Sequence, residues 1–143
     1  MLYEALYVPE GAPPFPKAIL QVPDISKYID DWAKYKYDIA LVATKGDKLI
    51  GAIWGRLFPA PLKGYGYVDE STPEISMAVA KEYRGQSIGG SLLSKISEAY
   101  REMSIDQISL SVDQNNPALS LYLRHDFYQV NKDNDALTMA KKL

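Results

Sequence analysis

Cysteine is absent from the chain, which removes a disulfide framework, a thiolate metal site and a cysteine nucleophile together. Histidine occurs once, at His125, so a multi-histidine metal centre is excluded as well. There is no excess of positive charge: 16 Lys and Arg stand against 18 Asp and Glu, for a formal net charge of −2. The pI is about 5.4, and such a balance offers no electrostatic footprint for nucleic acid. No apolar run approaches the length of a membrane span, and the start MLYEALYVPEG lacks the basic residues of a signal peptide. A soluble, cytoplasmic protein is the expectation. The 143 residues, 47% of them hydrophobic, suffice for one core, and no internal repeat or composition break divides residues 1–143 into more than one domain.

What the chain does have is concentrated between Thr72 and Leu93, TPEISMAVAKEYRGQSIGGSLL. Glu74 to Ala80 alternates and is partly β-branched, as a strand would be. From Ile88 the apolar positions Leu92, Leu93, Ile96 and Ala99 follow helical spacing. The junction, Arg84 to Gly90, therefore places free N–H groups at a helix N-terminus, where the helix dipole also favours an anion. A Walker A loop requires Lys where Ser91 stands, and a dinucleotide fingerprint requires a different glycine spacing. The acyl-coenzyme A pyrophosphate pattern, [QR]-x-x-G-x-[GA], fits Arg84 to Gly89 except that Ser87 replaces its Gly.

Elsewhere, Leu2 to Tyr7 reads as a short helix ended by Pro9 and Gly11, and GAPPFP as a loop. A second helix is expected from Asp24, as N-cap, to Trp32 or Tyr35. Ile39–Ala43 and Leu49–Leu57 form a hairpin around Lys45-Gly46-Asp47. Phe58 to Pro73 is a loop. Gln107–Val112 is a strand, Pro117–Arg124 a helix, and Tyr128–Asn131 with Leu137–Lys141 a terminal hairpin.

The segment LSVDQNNPALSLYLRHDF, Leu110 to Phe127, adds a second motif. With both segments in this order and at this separation, roughly residues 38 to 140 resemble the GNAT superfamily of N-acetyltransferases. The family's second segment typically reads V-x-x-x-N-P-A-x-x-L-Y-x-x-x-G-F. Val112, Asn116, Pro117, Ala118, Leu121, Tyr122 and Phe127 match it, while Asp126 takes the place of the Gly, a helix-ending position at which Asp tolerates left-handed geometry.

The resemblance implies an α/β fold: a mixed, mainly antiparallel sheet with helices on both faces, binding acetyl-CoA as co-substrate. It implies that Arg84, Gly85, Gln86, Ser87, Ile88, Gly89 and Gly90 hold the pyrophosphate, and that the backbone of Met77, Ala78 and Val79 pairs with the pantetheine arm. Asn115 or Asn116 would touch the cofactor or stabilise the turn. Tyr122 is the implied acid for the leaving thiolate and Glu74 the implied base for the amine, against the plainer readings of a packed tyrosine and a surface carboxylate. Asp69 and Glu70 are the alternative contacts for a cationic acceptor. Trp32, Trp54, Tyr65 and Tyr67 either line the acceptor pocket or serve as core and subunit contacts. Family members open with a strand before the first helix, whereas only Met1 precedes Leu2. Either the start is truncated or that edge strand is missing, and an open edge invites a homodimer. The acceptor is a small-molecule or protein amine, with no nucleic acid or membrane partner. A non-catalytic acyl-CoA-binding module of the same fold, a different acyl donor and a dimerising interaction domain are the alternatives.

Overall fold

The computed structural model describes residues 1–143. The helices are α1 (Leu2–Ala5), α2 (Pro23–Ser26), α3 (Ile88–Glu102) and α4 (Ala118–Arg124). The strands are β1 (Ile39–Lys45), β2 (Lys48–Arg56), β3 (Glu74–Val79), β4 (Gln107–Asp113), β5 (Tyr128–Asp133) and β6 (Ala136–Lys142). They form one six-stranded sheet in the order β1-β2-β3-β4-β6-β5. Every neighbouring pair is antiparallel except β3–β4. The sheet is thus mixed and mainly antiparallel, as expected, with β1 at its edge and no strand before α1. No helix is long and apolar enough to cross a membrane.

The alternation of β3 and β4 sorts their residues onto two faces. Ile75, Ile108, Leu110 and Val112 join one buried cluster with Leu92, Leu93, Ile96 and Tyr100 of α3 and Tyr122 of α4. On the opposite face lie Arg56 and its register partner Glu74, both covered by the segment that follows α2.

That segment departs from expectation. The helix foreseen from Asp24 to Trp32 or Tyr35 stops at Ser26; Val22 is its N-cap, and no side chain caps it. The cause lies across the chain in Arg56. Its Nη1 donates to the carbonyls of Lys27 (2.9 Å) and Asp30 (2.6 Å), acceptors that a continuing helix would spend on its own N–H groups. Its Nε and Nη2 grip the Asp38 carboxylate at 2.9 and 2.8 Å. The rings of Trp32 and Tyr35 lie 5.1 and 5.3 Å from the guanidinium carbon, within cation–π range. Positive φ at Asp31 (49°) and Ala33 (68°) completes the break.

Candidate active site

The central parallel pair is barely a pair. β3 and β4 share a single register position, Glu74 opposite Ser109, marked by the bond from Ser109 N–H to Pro73 O at 2.9 Å. Beyond it the strands part. Ala80 N–H donates to Ile50 O of β2, so by alternation Met77 and Val79 aim their N–H and C=O groups into the gap, while Ala78 turns its own toward β2. A cleft of about 1250 Å³ occupies this gap. Met77, Ala78, Val79, Arg84, Gly85, Ser87, Ile88, Gly89, Gly90, Asn115, Asn116, Tyr122 and Glu74 all line it. Gln86 does not: its side-chain amide turns back onto Glu82 O at 3.3 Å.

The loop before α3 keeps the backbone its pattern calls for despite the serine. Gly85 has φ 73° and Ser87 φ 63°, the left-handed region, which costs a residue with Cβ on the order of 1 kcal/mol. The Ser87 side chain makes no capping bond. None of the backbone N–H groups from Gly85 to Gly90 donates to a carbonyl of the chain. Arg84 spends only its Nε, on Val79 O at 2.9 Å. The missing side chains of Gly89 and Gly90 make room for α4: a Cβ would meet Leu121 at 3.0 Å and His125 at 3.1 Å respectively. Asn116 Oδ1 accepts from Ala118 N–H at 2.9 Å, opening α4. Asn115 O accepts from Tyr7 OH at 3.2 Å, which ties the N-terminal segment across the cleft.

Glu74 is not the surface carboxylate of the plainer reading. It is 3% exposed. Oε1 accepts from Tyr28 OH at 2.6 Å and Gly66 N–H at 2.9 Å, and Oε2 has no partner. Burial pushes its pKa up to about 7, against the lowering pull of Tyr28, Gly66 N–H and the Lys27 charge. Tyr28 OH also accepts from Tyr65 N–H at 2.7 Å. Burial, then the Glu74 charge, holds its phenol well above the usual range. The loop carrying Tyr65 sits so low that a Cβ on Gly66 would lie 2.6 Å from Ser111 N. Tyr122 lies on the other face of the sheet, its ring edge-on to Phe127 at 5.8 Å. Its hydroxyl bonds to nothing in the chain, and burial pushes its pKa up to about 12.

A profile of the acetyltransferase (GNAT) family matches residues 5–127. The chain belongs to this family. No curated protein matches the sequence. Among solved structures, the GNAT domain of PAT from S. lividans superposes with a TM-score of 0.72 at 17% identity, over 99% of this chain and 81% of that one. The PaiA N-acetyltransferase of Thermoplasma acidophilum, in complex with coenzyme A, gives 0.64 at 19%, over 89% and 72%. The IAA acetyltransferase of Bacillus cereus gives 0.64 at 19%, over 90% and 93%. At such identities the likeness is one of fold.

Within this GNAT fold, several residues singled out in the sequence lie elsewhere. Asp69 and Glu70 are away from the cleft: Asp69 accepts from Ser71 N–H and Oγ–H, each at 2.8 Å, and Glu70 from Ala60 N–H at 3.1 Å. They organise their own loop. Trp32 packs on Arg56, Trp54 is buried in β2, and Tyr67 is outside the lining. Of the four aromatics only Tyr65 faces the cleft. His125 is half-buried at the end of α4, and Asp126 follows it with φ 68°, the left-handed geometry foreseen. Sequence reasoning missed Tyr28, Gly66 and the Arg56–Asp38 pair. Only Gly66 left a signal, the G-x-G spacing of Gly64-Tyr65-Gly66, which marks a close backbone approach.

Proposed function

We propose that this protein transfers an acetyl group from acetyl-CoA to a primary amine, in a ternary complex and without a covalent enzyme intermediate. The observation that carries the reading is the placement of Glu74 and Tyr122 on opposite faces of the sheet, at the gap between β3 and β4. A base on one side and an acid on the other suit an amine entering from one face and a thiolate leaving toward the other.

The residues present fit coenzyme A. The free N–H groups from Gly85 to Gly90, the spare donors of Arg84 and the start of α3 suit a pyrophosphate. The outward amides of Met77 and Val79 suit an extended amide-bearing arm. When bound, acetyl-CoA supplies an activated thioester. Glu74, ionised, takes the proton of the incoming ammonium; Tyr122 donates its phenolic proton to the departing sulfur. A carboxyl with a pKa near neutrality serves a general base well, and a phenol held at about 12 stays protonated across the working range.

The test is a pH profile of kcat/KM. Glu74 must lose its proton to act, so the rate should rise as pH increases through about 7 and plateau until the acceptor's own ionisation takes over. In Glu74→Gln that limb should vanish along with most of the activity. A Gln variant keeping the limb would remove Glu74 from the reaction. The same burial has a stability signature of opposite sense. A folded-state pKa raised above the unfolded value means the folded protein holds the extra proton between about 4.5 and about 7. Stability therefore falls as pH rises through that window.

Gly66→Ala supplies a second check. Its Cβ would collide with the β4 backbone, lifting the N–H away from Glu74. The loss of one hydrogen bond to a charged group should lower kcat/KM roughly tenfold or more, with the circular dichroism spectrum unchanged. Equal activity in the two proteins would show that the loop does not set the base.

A further inference from the structure

The cleft carries its positive charge at one end only. Its only lining cations, Arg84 and Arg124, belong to the end formed by α3 and α4. On the face that carries Glu74, the lining includes Phe15, Ile25, Tyr28 and Tyr65 beside the hydroxyls of Ser76 and Ser111. Two of these are partly exposed aromatic rings: Phe15 is 38% exposed, and Tyr65 is 60% exposed with the Lys27 ammonium 5.5 Å from its ring centre. Large aromatics that face a cleft rather than the core are surface waiting for a ligand. Glu74 also lines the cleft, and its Oε2, packed beside Gly64, is buried and without a partner, the sort of atom that takes a hydrogen bond from a bound cation.

From this arrangement, and resting on the acetyl-transfer reading above, we infer that the acceptor is a small monoamine carried on an aromatic body. Its ammonium goes to Glu74 and its ring lies between Phe15 and Tyr65. The chemistry of the pocket argues against the other amine classes. A polyamine or an aminoglycoside carries several ammonium groups and needs a carboxylate for each, but Glu74 is the one buried acid in the lining, and Asp113 accepts from Asn115 N–H at 2.8 Å. The remaining acids of the N-terminal wall, Glu4 and Glu10, are exposed. A free amino acid brings a carboxylate, and the nearby cations are committed. Lys27 is held by Asp24 at 3.1 Å and Lys63 O at 2.6 Å, and Lys17 lies over the Tyr3 ring at 3.6 Å. A peptide N-terminus presents a carbonyl beside its amine, which needs an N–H donor. The two loop donors at this spot, Tyr65 N–H and Gly66 N–H, are already taken by Tyr28 and Glu74.

The experiment measures kcat/KM at saturating acetyl-CoA for 2-phenylethylamine, n-butylamine, spermidine, kanamycin, alanine and an alanine-initiated hexapeptide. Acetyl-CoA affinity is measured alongside by calorimetry. 2-Phenylethylamine should exceed each of the others roughly tenfold or more, the discrimination an apolar pocket delivers. In Tyr65→Asp and Phe15→Asp that preference should shrink at least several-fold while acetyl-CoA affinity holds. A better rate with spermidine, kanamycin, alanine or the peptide overturns the inference, as does a preference that survives both substitutions. Transfer to none of the amines with acetyl-CoA still bound also overturns it. The transferase reading itself falls separately, if acetyl-CoA does not bind at all.

Discussion

Tyr122→Phe should lower kcat by about 10²–10⁴-fold, the usual contribution of a positioned general acid, and leave acetyl-CoA affinity nearly unchanged. The separation of the two effects follows from the packing. The ring is 8% exposed and rests edge-on against Phe127, contacts that phenylalanine keeps. Only the hydroxyl goes, and it bonds to no other group of the chain. A hydroxyl that anchors nothing contributes little to folding, so its removal should be neutral or slightly stabilising. A purely structural tyrosine would therefore show no kinetic loss. Steady-state kinetics with a thermal melt decides the matter: a fall in kcat below about threefold, at unchanged melting temperature, sinks the acid role.

The largest stability effect should come from Arg56→Ala, about 3–5 kcal/mol, because it strands the Asp38 carboxylate where water cannot reach it. Arg56 and Asp38 side chains are 4% and 0% exposed. Urea denaturation is the measurement, with Asp38→Ala and the double variant beside it. If the cost arises from an uncompensated charge, the double variant should be no worse than the worse single one, and strict additivity would refute that account. Arg56→Lys should fail to rescue, since one ammonium cannot span the carboxylate and the Lys27 and Asp30 carbonyls at once. Those carbonyls flank Tyr28, which reaches Glu74. The weakened proteins should accordingly lose activity at temperatures where they remain folded.

The parts of the molecule that could be read from the chain are those set by local pattern. β3, α3, β4 and α4 lie within a residue or so of the positions their periodicity predicts, because each buries one clear stripe. The Arg84–Gly90 turn was legible because its geometry is local too, and Ser87 adopts the left-handed φ that the pattern's glycine would. The segment after Ser26 was not legible. Its helix-like spacing is overruled by a guanidinium contributed from β2, a partner 25 or more residues away. Glu74 could be named from its place at the head of a strand, but not its cage. Tyr28, Gly66 and the carboxylate meet only after two loops fold back over the sheet. The acids that stood out in sequence, Asp69 and Glu70, are occupied with their own turn. The gap between β3 and β4 has no residue signature at all, being a property of how two strands fail to run together.

That gap has a mechanical meaning. With one backbone bridge between them, β1-β2-β3 and β4-β6-β5 are two half-sheets hinged at Glu74, joined mainly through the side chains beneath α3 and α4. The amides of Met77 and Val79 have no ladder to protect them, so they should exchange with solvent far faster than those of β2. In the proposed reaction, a donor molecule lying in the gap would replace the missing rungs. The ligand would then be a structural member as well as a reactant, with the sheet continuous only while the gap is filled.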